Sequence, residues 1–104
     1  MGLKQIKAQF SQGKSIELIL KNDFPDTMLY VVRACDEELD EEYTHDVFFS
    51  KKEAEECMEG ISKISRNLFY TLEATLKEIE TKYSFDGVDK ILLYHRIEEK
   101  LRRD

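Results

Sequence analysis

Six carboxylates fall within seven residues at Asp36-Glu37-Glu38-Leu39-Asp40-Glu41-Glu42, and Asp46 follows close behind. Three kinds of chemistry suit such a run. It can be a solvated loop whose charges blunt a sheet edge and aid solubility. It can be an acidic lure for a basic groove, imitating nucleic-acid phosphates on an Arg/Lys-rich partner. It can also hold calcium or magnesium, but the EF-hand order is missing, with no Gly at the turn and no Glu twelve residues after the first acid. The partner-binding reading places Asp36, Glu37, Glu38, Asp40, Glu41, Glu42 and Asp46 in one docking surface, with no metal and no cofactor. It requires that these acids are not neutralised by the chain's own cations, such as Arg33, Arg96 or Arg102.

Catalytic candidates are few. Cys35 with His45 or His95 would be a minimal nucleophile–base pair, although nothing in their spacing favours it. No G-x-S-x-G elbow, H-x-x-x-H pair or zinc-type Cys/His quartet occurs. Ala8-Gln9-Phe10-Ser11-Gln12-Gly13-Lys14-Ser15 fits the loosest form of a phosphate-binding loop, with Ala8 replacing the first Gly. That chemistry needs a buried parallel strand leading into the loop. The preceding Lys4-Gln5-Ile6-Lys7 is too polar for one, so a hairpin turn is the expectation here. The chain is therefore expected not to be an enzyme; a small-ligand pocket between sheet and helices is the alternative that would keep His45 or His95 in play.

The composition points the same way. With 22 acidic against 16 basic residues and a formal net charge of −6, the surface repels nucleic-acid phosphates and anionic membranes. A protein partner with a basic surface is the natural one. Apolar residues make up 41% of the 104-residue chain and include six Phe and five Tyr, enough for one core but not two. Two cysteines without CxxC spacing, Cys35 and Cys57, read as reduced thiols and place the protein in the cytoplasm.

These residues need a scaffold. Ile6, Ala8 and Phe10 alternate with polar neighbours, and so do Ile16, Leu18 and Leu20, which predicts two half-buried strands. Residues 28–35 form a dense apolar and β-branched run, the best candidate for a central strand, hairpin-paired with residues 43–49. The period changes at Ser50-Lys51-Lys52-Glu53, a capping-box signature. Ala54, Cys57, Ile61, Ile64 and Leu68 then recur at helical steps, a pattern that continues to Tyr83. Residues 68–75 also alternate, but Glu73–Lys77 and Glu78–Lys82 are correctly oriented i,i+4 pairs and favour helix. A helix of thirty residues would outreach a four-stranded sheet, leaving the surplus to the C-terminal helix or to a second subunit. Residues 88–103 predict a closing amphipathic helix with Lys100, Arg102 and Arg103 at its C-terminal end. The expected fold is one α+β domain over residues 1–104: an antiparallel N-terminal meander of about four strands, then two or three helices on one face. Its expected role is a protein-binding inhibitor or adaptor, the alternative being an oligomerisation subunit acting through residues 54–83.

Overall fold

In the computed structural model, which describes residues 2–83 and 85–103, the first two strands of the expected N-terminal meander are replaced by helices. Helix α1 spans Leu3–Ser11 and buries Ile6. Gly13 ends it at φ 92°, a left-handed conformation that glycine adopts without steric cost. Its amide donates to Phe10 O at 3.0 Å and the Lys14 amide to Gln9 O at 3.3 Å, satisfying the last carbonyls of the helix. The expected second strand is a π-helical segment, Leu18–Asp23, with the Phe24 amide reaching back five residues to Ile19 O. Ile16, Ile19 and Leu20 are buried while Leu18 is 48% exposed, so the inward face follows a helical spacing and not the alternation of Ile16, Leu18 and Leu20.

The central hairpin forms as expected. Strand β1 (Leu29–Asp36) pairs antiparallel with β2 (Glu41–Phe48), from Asp36 opposite Glu41 to Tyr30 opposite Phe48. One bulge interrupts it: Val32 faces Asp46 and Arg33 faces Thr44, leaving His45 as the extra residue.

Helix α2 (Lys51–Ser62) starts at Ser50, whose hydroxyl accepts from the Glu53 amide. The helical period does not continue to Tyr83. Residues 68–74 are a strand, β3 (Leu68–Ala74), laid antiparallel along the other side of β1. The aromatic and β-branched run Phe69-Tyr70-Thr71 prevails over the proposed i,i+4 pair, and Glu73 is bridged by Lys51 at 3.5 Å instead. Helix α3 (Leu76–Lys82) follows, opened by a full capping box between Thr75 and Glu78, and here the expected Glu78–Lys82 pair does form. Helix α4 (Gly87–Arg102) closes the chain as expected, capped by Asp86, whose carboxylate accepts from the Asp89 amide at 2.8 Å. With no thirty-residue helix, the surplus apolar length that called for a second subunit is absent.

The fold is α+β, with a three-stranded antiparallel sheet ordered β2-β1-β3. Alternation along β1 decides what packs where. Leu29 and Val31 point into the main core with Ile6, Ile19, Leu20, Leu76, Ile79, Leu93 and Ile97. Val32 and Ala34 point the other way and are buried beneath α2 with Ala54, so helices cover both faces of the sheet and not one. Among the described residues, no helix is long and apolar enough to cross a membrane.

Candidate functional site

The acidic run is the tip of the β1–β2 hairpin. Asp36 folds its own carboxylate back into the turn, where Oδ1 accepts from the amides of Glu38 (3.0 Å) and Leu39 (3.2 Å). Asp40 closes the four-residue loop at φ 52°, the left-handed conformation that aspartate tolerates better than most residues. Glu37, Glu38, Leu39, Asp40, Glu41 and Glu42 are all exposed. Among the described residues no ion pair reaches Asp36 or any residue from Glu37 to Glu42. The arginines that could have neutralised the tip are engaged elsewhere: Arg33 with Asp89, Arg96 with Glu99 and Arg102 with Glu98. Arg66 borders Asp36, Glu37 and Glu38 across a depression of about 470 Å³ without pairing to them.

Asp46 does not belong to this surface. Its carboxylate is 2.6 Å from Lys100 Nζ, whose ammonium also sits over the Phe48 ring. Glu42 is a boundary case. Hydrogen bonds from the Tyr70 hydroxyl and the Cys35 thiol hold its carboxyl below the ordinary value. Burial, and then the neighbouring Glu42 carboxylate, push the Cys35 thiol up. Cys35 thus donates to a carboxylate and has no histidine to activate it; its thiol is the reverse of an activated nucleophile. His45 packs edge-on against Phe69, and His95 lies 3.0 Å from Glu99.

The first turns of α4 form the other wall of the site. Between them and the tip lies a cleft of about 460 Å³ lined by Asp40, Glu41, Glu42, Tyr43, Asp86, Val88, Asp89 and Leu92. Exposed apolar side chains accompany the charge: Leu39 on the tip at 65% and Val88 on the cleft wall at 71%.

What fixes these walls relative to each other is a buried ion pair that links two distant parts of the sequence. Arg33 Nη1 lies 2.5 Å from Asp89 Oδ2, and both side chains are nearly inaccessible. The second carboxylate oxygen of Asp89 accepts from the Thr44 amide at 2.8 Å, and Arg33 Nη1 also donates to Thr44 Oγ1 at 3.1 Å. The guanidinium stacks on Phe85, 4.1 Å from the ring centre. Burial alone would weaken its charge, but the Asp89 carboxylate and the Tyr70 hydroxyl outweigh it and raise the Arg33 pKa further. The sequence offered one signal for this pair, an arginine inside the apolar run 28–35, which a buried position obliges to find a carboxylate.

The loose phosphate-loop match falls outside any such site. Residues 8–11 lie in α1 and Gly13 sits just beyond its C-terminal end, so no strand feeds the loop and this is no hairpin turn. A helix C-terminus presents carbonyls, the wrong pole for phosphate. Among the described residues, no group of three or more His, Cys, Asp or Glu side chains is placed to hold a metal ion. Comparison with family models, with curated proteins and with solved structures finds no match to this chain.

Proposed function

We propose that the protein is a non-enzymatic binding module that engages a basic surface of a protein partner, as an inhibitor or adaptor, through the β1–β2 tip and the first turns of α4. The observation that supports this reading is the exposure, with no ion-pair partner among the described residues, of Glu37, Glu38, Asp40 and Glu41 beside exposed Leu39 and Val88. These carboxylates lie within a five-residue span, so they act together over a Debye length of about 8 Å at physiological salt. Charge of this kind accelerates encounter and suppresses wrong partners, while the apolar side chains supply the desolvated contact that lengthens the complex's lifetime. The favoured partner segment therefore carries Lys or Arg flanking one or two apolar residues. Asp46, neutralised by Lys100, plays no part in it.

Capture from a lysate of the native host tests the proposal. The unmodified protein should retain a protein partner at low salt and release it at high salt. The combined variant Glu37→Lys, Glu38→Lys and Glu41→Lys should fail to retain it while keeping its circular dichroism spectrum and unfolding midpoint. Equal capture by a folded variant removes the proposal.

A further inference from the structure

The two edges of the sheet are built differently. The outer edge of β2 is guarded: it carries a bulge at His45, the Thr44 amide is bonded to Asp89, and Glu41, Glu42 and Asp46 line it. Strand β3 has no bulge and Glu73 is its one charge. It pairs with β1 in unbroken register from Leu29 opposite Ala74 to Cys35 opposite Leu68. Among the described residues, nothing hydrogen-bonds to its outer side. Its seven residues, Leu68-Phe69-Tyr70-Thr71-Leu72-Glu73-Ala74, contain no Pro, Lys or Gly and a single charge, and Leu68 and Tyr70 are 58% and 41% exposed. A straight, apolar, unguarded edge is a template for another strand.

We propose that the occupant is β3 of a second copy of this chain, added antiparallel across a two-fold axis through Thr71 to give a continuous six-stranded sheet. Self-pairing in that register leaves no mismatch. On one face Tyr70 lies opposite Leu72 and Leu68 opposite Ala74; on the other Thr71 meets Thr71, an interaction that sheets favour. The single charge, Glu73, lies opposite Phe69 and not opposite another Glu73, and keeps its Lys51 partner.

Placement of net charge favours the same geometry. The acidic tip lies at the Leu68 end of the sheet, because Cys35, next to Asp36, pairs with Leu68. An antiparallel partner therefore carries its own tip at the opposite end, so two chains of net charge −6 meet along their least charged edge. A parallel partner would bring both tips together. The dimer leaves each tip free, so it stands independently of the proposed docking function, and the two respond oppositely to salt. Tip capture weakens as salt rises, whereas edge pairing between like-charged chains holds or strengthens.

The test combines sedimentation with cysteine cross-linking of the full chain. Unmodified protein should pass from monomer to dimer with rising concentration, at both low and high salt. In a Cys35→Ser, Cys57→Ser background, Thr71→Cys should cross-link to itself under mild oxidation, since directly opposed positions have Cβ atoms about 4.5–5.5 Å apart. Leu68→Cys should not, because it meets Ala74 and lies roughly 20 Å from its own copy. Leu68→Lys, at an exposed position, should raise the dimer dissociation constant about tenfold, the symmetric contact being lost twice, without altering the fold. A monomer at every concentration overturns the proposal. So does a dimer whose affinity Leu68→Lys leaves unchanged, or one in which Thr71→Cys stays uncross-linked.

Discussion

Asp89→Asn isolates the contact that holds α4 against the hairpin. The substitution keeps the side chain's shape and an oxygen for the Thr44 amide, now 2.8 Å from Asp89 Oδ1, and removes only the charge facing Arg33. The guanidinium is then left in a site where its side chain is 6% exposed, with the Thr44 and Tyr70 hydroxyls and the Phe85 ring as near neighbours and its Nε already without a hydrogen-bond partner among the described residues. Removing one member of a buried pair costs about 3–5 kcal/mol, against a total stability of roughly 5–15 kcal/mol for a domain. Even the lower figure lowers the melting temperature by roughly 12–24 °C at this chain length. Urea unfolding followed by circular dichroism reads the loss as a lower midpoint with an unchanged slope. The double variant Arg33→Met, Asp89→Asn removes both charges and leaves the Thr44 bond, so it should recover most of the loss, as buried pairs replaced by apolar side chains commonly do. Asp89→Ala should cost about 1–3 kcal/mol more than Asp89→Asn, because it also orphans the Thr44 amide. A cost below about 0.5 kcal/mol for Asp89→Asn, within the range of an ordinary surface substitution, would refute this reasoning, as would a double variant no more stable than the single.

Glu80 supplies a test in pH. Burial pushes its carboxyl up, but the Lys21 ammonium at 2.5 Å and the Tyr94 hydroxyl outweigh this and leave it below its ordinary value. A folded-state value below the unfolded one gives stability that is complete above the ordinary glutamate pKa, near about 4.3, and is lost as pH falls through the depressed value. Glu80→Gln should therefore be less stable than the unmodified chain at pH 7, with a smaller further loss on acidification; parallel acid limbs in the two unfolding profiles would exclude that role. Thr75→Ala removes the acceptor for the Glu78 amide at 3.2 Å and half of the capping box of α3. Its expected cost is about 1 kcal/mol by denaturant unfolding, and no measurable change would show that packing of Leu76 and Ile79 alone secures that helix.

How much of this was legible in the sequence follows from how local each signal is. The acidic tip is contiguous, and residues 28–35 carry a dense apolar run, so both the hairpin and the exposed carboxylates could be read directly. The N-terminal segments were ambiguous because short amphipathic runs fit two periods at once. Ile6 and Phe10 suit a strand when counted with Ala8 and a helix when counted with Leu3, and Ile16 suits Leu18 in one case and Ile19 in the other. Tertiary packing decides between them by burying Ile19 completely and leaving Leu18 half exposed. At residues 68–74 the i,i+4 charge pairs, worth only a few tenths of a kcal/mol each, were set against cross-strand pairing with β1, which contributes at every position. The Arg33–Asp89 pair joins residues 56 apart, and the Asp46–Lys100 pair residues 54 apart. No spacing rule reaches that far, so in the sequence Asp46 stands with the contiguous tip acids and nothing local marks Asp89.

On the proposed function, the tip carboxylates, unpaired among the described residues, and the first turns of α4 act as one docking surface. Titration of the isotope-labelled protein with a Lys/Arg-rich peptide carrying two leucines, followed by amide chemical shifts, tests this surface. Shifts confined to residues 36–43 and 86–92, vanishing in high salt and absent in the Glu37→Lys, Glu38→Lys, Glu41→Lys variant, are the expected result. Shifts centred elsewhere, or an identical response from the charge-reversed variant, would contradict it.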